Sequence, residues 1–171
     1  MYPYFSNKDE QIKKLDIVKE NLNSDNYKDE NVEEEDFRRY IIESIEEAIK
    51  DEERDTKYYK KLYNMVNDEN DKSILRQIYL DEMKHKKIFM DLYRILTGEE
   101  FVMGQIEDKV IEGSLKDELY NSIQSELEGA EFYRMLMSAF LDLPIRDMIY
   151  EPLMVEQKHA LLVSNLYNKY K

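Results

Sequence analysis

The sequence predicts an all-α protein, a four-helix bundle made of one antiparallel helical hairpin and its repeat. Three observations point there. Glycine and proline number four and three in 171 residues while charged residues reach 37%, a composition that suits long helices rather than strands and turns. Apolar residues recur at three- and four-residue spacing along four long stretches. Sliding the chain by 74 residues lays its second half on its first, Ile49, Glu52, Tyr59 and Leu62 falling on Ile123, Glu126, Tyr133 and Leu136.

Residues 1–32 read as an N-terminal extension and 33–171 as the bundle. The extension holds a loose aromatic start, a short amphipathic helix over about Lys8–Leu22 on Ile12, Leu15, Val18 and Leu22, and a polar linker over 23–31. The first long helix should cover about Glu33–Asn67, burying Ile41, Ile45, Ala48, Ile49, Tyr59, Leu62 and Val66 with Glu52 among them. A polar turn, Asn67–Asp71, leads to a second helix over about Lys72–Leu96, stopped at Thr97-Gly98. The connection 97–113, with glycines at 98, 104 and 113, has the length of a crossover along the bundle. Ser114 and Asp117 resemble a capping box, so the third helix begins there and runs to about Leu141. Asp142-Leu143-Pro144 opens the fourth, to about Tyr170, with Pro152 expected to kink it or to mark a late start to its regular part.

Composition narrows the function. A net charge of -13 repels phosphate backbones, so nucleic acid is not an expected partner. The absence of cysteine removes thiolate-held zinc, iron-sulfur clusters and cysteine nucleophiles. No apolar run has the length of a membrane span and no signal peptide opens the chain, so a cytoplasmic protein without a membrane partner is expected.

The chain has two histidines, and both follow a glutamate by three residues: Glu82-Met83-Lys84-His85 and Glu156-Gln157-Lys158-His159. At that spacing on a helix a carboxylate and an imidazole share one face and can meet one metal ion. Each pair taken alone is far more often a solvated helix face than a ligand pair. The repeat changes the weight, because it copies both pairs and also Glu52 onto Glu126, all on apolar stripes. In each half the lone glutamate precedes the Glu-x-x-His glutamate by 30 residues, so going up one helix and down the next brings both to one height.

Six candidate ligands therefore converge: Glu52, Glu82, His85, Glu126, Glu156 and His159. Four glutamates cannot stay ionised together in a dry core, and two divalent cations would balance them. Oxygen-rich ligation with one imidazole per metal suits iron or manganese better than structural zinc. Tyr59 and Tyr133, seven residues after Glu52 and Glu126, either hydrogen-bond a ligand carboxylate or fill core. Asp81 reads as a solvated aspartate in preference to a partner for a ligand histidine.

On Ala48-Ile49-Lys50-Asp51-Glu52 with Tyr59, Glu82-Met83-Lys84-His85, Ser125-Glu126 with Tyr133, and Glu156-Gln157-Lys158-His159, the chain over about residues 40–170 resembles the rubrerythrin branch of the ferritin-like superfamily. The resemblance implies a ferritin-like bundle that binds two irons and reacts with peroxide or dioxygen. It implies bridging roles for Glu82 and Glu156, terminal ones for Glu52 and Glu126, and one histidine, His85 or His159, per metal. Two departures stand out. With no cysteine there is no rubredoxin module, so electrons must come from a separate donor. The further carboxylate that rubrerythrins carry three residues after the first on the third helix is here Gly129, while Asp55 occupies the repeat-related place. Asp55 either supplies the missing ligand from across the site or points to solvent.

The expected function is thus a di-iron oxidoreductase, a rubrerythrin-like peroxidase or oxidase reducing hydrogen peroxide or dioxygen, with Tyr59 and Tyr133 beside the metals and a homodimer among the expected assemblies. The alternatives are a ferroxidase or iron-handling protein, and a non-enzymatic bundle with metal as a staple.

Overall fold

The computed structural model describes residues 30–170, with side chains from Glu35 onward. The expected helix at Lys8–Leu22 lies outside the described residues. Among the described residues there are four helices: α1 Glu30–Met65, α2 Glu69–Thr97, α3 Leu115–Ser138 and α4 Leu143–Lys169. The polar run expected to link as far as residue 31 thus already belongs to α1 at Glu30 and Asn31.

The ends are set by local chemistry. Asp68, expected inside the turn, is the N-cap of α2 and accepts from the amides of Asn70 and Asp71, which starts α2 earlier than its apolar stripe does. Gly98 closes α2 at φ 78°, a conformation that costs glycine nothing. Ser114 and Asp117 make the reciprocal capping box at the head of α3. Asp142 caps α4, and Pro144 occupies its first turn. Pro152 does not delay the helix. α4 runs unbroken from Leu143 through it, with the ring buried and only one backbone bond forgone.

Cross-helix contacts fix the topology. The Arg38 guanidinium at the start of α1 donates to the Leu96 carbonyl at the end of α2, and Lys86 meets Glu53 at 2.8 Å further along, so these helices are antiparallel. In the second hairpin Tyr120 stacks near Tyr167 at 5.8 Å, while Arg146 donates to the Met137 carbonyl at the opposite end. Between hairpins, α1 lies antiparallel to α3 through Tyr59 with Glu126 and Tyr133 with Glu52, and α2 lies antiparallel to α4 through His85 with Glu156 and His159 with Glu82.

Two hairpins in this relation need a connection that returns along the molecule, and the segment 98–114 supplies it. It leaves α2 with Phe101 against Tyr93, runs beside α1 where Lys57 meets Asp108 and Lys61 donates to the Lys109 carbonyl, and lands on Glu118. That buried carboxylate accepts from the Glu112 and Gly113 amides at 3.0 and 2.8 Å and from the Tyr58 hydroxyl at 2.6 Å.

The interior is apolar at both ends and polar between. One cluster gathers Ile41, Ile45, Phe89, Leu92, Phe132, Leu136 and Ile149; the other gathers Leu62, Leu75, Ile78, Leu119, Val163 and Leu166. Among the described residues no helix is long and apolar enough to cross a membrane.

Replacing Glu118 by alanine removes the buried acceptor shared by the Glu112 and Gly113 amides and the shorter of two bonds of the Tyr58 hydroxyl, leaving it the Glu118 carbonyl at 3.3 Å. We expect it to cost roughly 2 kcal/mol or more of unfolding free energy in urea titrations of chelator-treated protein. A loss within about 0.5 kcal/mol, the range of an ordinary surface change, would show that Glu118 does not anchor the crossover.

Candidate metal centre

The six glutamate and histidine side chains singled out above are all buried and meet between the two apolar clusters. They form two groups, Glu52, Glu82, His85 and Glu156, and Glu82, Glu126, Glu156 and His159, with the potential ligand atoms of each group within 4.8 Å of one another. Glu82 and Glu156 belong to both. His85 Nδ1 lies 3.0 Å from Glu82 Oε2, 3.2 Å from Glu156 Oε1 and 3.7 Å from Glu52 Oε2. His159 Nδ1 lies 3.1 Å from Glu82 Oε1 and 3.5 Å from Glu126 Oε2. The two oxygens of Glu82 thus each face a different imidazole, and the rings stand 5.8 Å apart.

Such crowding shifts every proton. Burial, then the charges of Glu126 and Glu52, pushes Glu82 up to about 8; burial and the Glu82 and Glu126 charges hold Glu156 well above the carboxylate range. Burial also favours a neutral Glu126, yet the Glu156 carboxyl and the His159 ring beside it pull it down to about 2. Burial opposes charge on the imidazoles, but Glu156, Glu52 and Glu82 outweigh it at His85, and Glu126 and Glu82 push His159 up to about 10. Without metal, protons and imidazolium rings neutralise the cluster.

That arrangement is incomplete. Glu82 Oε1, Glu126 Oε2 and His159 Nδ1 are buried and find no aligned hydrogen-bond partner, a rare condition for interior polar atoms and one that a bound cation would relieve. Carboxylate oxygens with one imidazole nitrogen in each group form a donor set that fits a divalent transition-metal ion.

The tyrosines turn out to bond rather than merely fill. The Tyr59 hydroxyl donates to Glu126 Oε1 and the Tyr133 hydroxyl to Glu52 Oε1, each reaching the opposite hairpin. Burial and the facing carboxylates, Glu126 for Tyr59 and Glu52 for Tyr133, raise both phenols well above their ordinary value, so they stay protonated donors.

Asp81 corrects the sequence reading. It is buried, its carboxylate holds the Gln77 amide at 2.9 Å and the Lys84 ammonium at 2.8 Å, and it lies 3.4 Å from His159 Nε2. Burial alone would raise it, but the bonds from Gln77, Lys84 and His159 hold it well below the carboxylate range. A signal existed in the sequence: its repeat mate is Val155, so the two halves differ beside the site.

Asp55 joins neither ligand group; half-buried, it pairs with Lys109 from the crossover. Burial outweighs that lysine and pushes Asp55 up to about 6. Gly129 does border the centre, since a methyl group there would sit 3.5 Å from Glu156 Oε2. No protein-family model matches the chain, and neither a curated protein nor a solved structure does.

The proton shifts fix how metal-free stability depends on pH. Glu82 releases its proton near 4.5 unfolded and near 8 folded, and His159 near 6.5 unfolded and near 10 folded. Between those values the folded state holds more protons, so stability falls as pH rises. We expect the thermal midpoint of chelator-treated protein to drop between about pH 6 and about pH 9. A midpoint that climbs over that range would contradict the protonated cluster.

Proposed function

We propose that this chain is a di-iron carboxylate protein of the ferritin-like kind, an oxidoreductase that reduces hydrogen peroxide or dioxygen with electrons from a separate donor. One observation carries the reading: two buried ligand groups share Glu82 and Glu156, so two ions held there would be joined by two carboxylates. Glu52 and His85 would complete one ion, Glu126 and His159 the other. Manganese has the same preference for oxygen and imidazole donors, and iron is favoured here by the resemblance set out above.

Two such ions would supply two electrons and a pair of Lewis-acid centres to a bound oxidant. The remaining work falls to the chain. Reducing peroxide to two waters consumes two protons with the two electrons, and the Tyr59 and Tyr133 hydroxyls stand beside the centre as fixed hydrogen-bond donors, each held against a terminal carboxylate. Those same bonds fix the orientation of Glu126 and Glu52. Ile45, Phe89, Leu62 and Val163 pack the ends and keep bulk water from the centre. Gly129 leaves the flank of Glu156 uncrowded, giving that carboxylate room to change its binding mode.

Metal analysis after anaerobic loading with ferrous iron tests the reading directly. Wild-type protein should hold two irons per chain, and addition of peroxide should bleach or build absorbance in step with their oxidation. Glu82→Ala or Glu156→Ala should abolish two-ion binding, because each would serve both ions, whereas Tyr133→Phe should keep it. Chelator-treated Glu82→Ala should melt no lower than wild type, since removing one carboxyl relieves crowding in the empty cluster. Two irons retained in either alanine variant would remove the bridging assignment.

A further inference from the structure

The duplication that builds the centre is broken beside it, and the break falls on one histidine only. With its proton on Nε2, His159 donates to Asp81 Oδ2 at 3.4 Å. Asp81 is itself held in place by Gln77, by Lys84 and, at 3.6 Å, by Lys158. The repeat-related contact would run from His85 to residue 155, and that residue is Val155. Among the described residues His85 Nε2 makes no hydrogen bond, all of its recorded polar contacts being through Nδ1.

A carboxylate behind an imidazole does two things to the nitrogen in front. It pins the proton on the far side, leaving Nδ1 as a lone pair, and it makes that lone pair a stronger donor to a cation. The three buried atoms without an aligned partner, His159 Nδ1, Glu82 Oε1 and Glu126 Oε2, all belong to this same group. In the other group His85 Nδ1 lies 3.0 Å from Glu82 Oε2 in an aligned contact, whereas His159 Nδ1 lies 3.1 Å from Glu82 Oε1 out of alignment. What distinguishes the two halves is the carboxylate that stands behind the His159 ring.

From this we infer that the two metal positions are unequal by construction: the position formed by Glu126 and His159, backed by Asp81, takes up its ion first and holds it more tightly than the position formed by Glu52 and His85. The inference rests on the dimetal reading of the centre and deepens it. Asp81 is then a positioning residue. It touches no metal and acts through the His159 ring. Outer carboxylates of this kind are worth roughly 10- to 100-fold in metal affinity, so the two uptake steps should differ by about that factor.

The test is a calorimetric and visible-absorption titration of metal-stripped full-length protein with Co(II). Wild type should bind in two steps. Asp81→Asn, which keeps the side chain's size and removes its charge, should weaken the tighter step by roughly 10- to 100-fold and leave the weaker one in place. A purely structural role for Asp81 would move both steps together, and that result would overturn the inference. His159→Ala should abolish the tighter step and His85→Ala the weaker; the reverse assignment would also overturn it. Val155→Asp should strengthen the weaker step. Two ions taken up in equal steps untouched by Asp81→Asn would leave the dimetal reading standing and remove only the inequality. Fewer than two ions bound to wild type would remove both.

Discussion

Charge neutrality of a buried cluster is the constraint on which the rest of this structure depends. Glu52, Glu82, Glu126 and Glu156 lie together in the interior with only two imidazoles for company, and a set of like charges excluded from water must be compensated on the spot. Protons on Glu82 and Glu156 and charge on His85 and His159 provide one solution. Metal cations bound there would provide another, in place of those protons. The apolar ends of the bundle carry the packing energy that makes such a centre tolerable, which is why Ile45, Leu62, Leu75, Phe89 and Leu136 are sealed completely.

Symmetry gives the centre its shape and the departures from symmetry give it character. Each hairpin contributes the same three ligands, so the centre has two similar halves, and the tyrosines repeat this by crossing between hairpins in both directions. The ligands are among the few positions the two halves share, and two of the many departures lie beside them. Under the 74-residue shift Asp81 falls on Val155 and Asp55 on Gly129, and Asp55 has a lysine drawn to it by the crossover. A duplicated scaffold with a modified surround can keep the placement of its glutamates and histidines while the two halves acquire different surroundings.

The helices and the six inward residues were legible because both signals act along one segment. Helical periodicity places Glu82 and His85 on one face without reference to any other part of the chain, and the 74-residue shift copies that placement. What was not legible lies between segments. Nothing in the spacing of Tyr59 says that it reaches Glu126 on the other hairpin rather than a carboxylate on its own. Asp81 looks like one acid among many until α4 is laid against α2. Lys109 sits in a stretch without periodicity, so its pull on Asp55 has no sequence signature, and the same holds for Glu118, which proves to be a buried anchor for a loop.

The crossover has a further consequence for how the molecule is held together. Segment 98–114 is the single covalent tie between the hairpins, and around Gly104 nothing lies within 4 Å of where a side chain would begin. Each hairpin by itself would carry two glutamates and a histidine with no means of completing either ligand group, since each group draws on both. A chain opened at Gly104 would therefore become two self-complementary halves, each able to pair with the other or with a copy of itself. In that sense the centre is an adhesive between modules, and the loop decides only which modules meet.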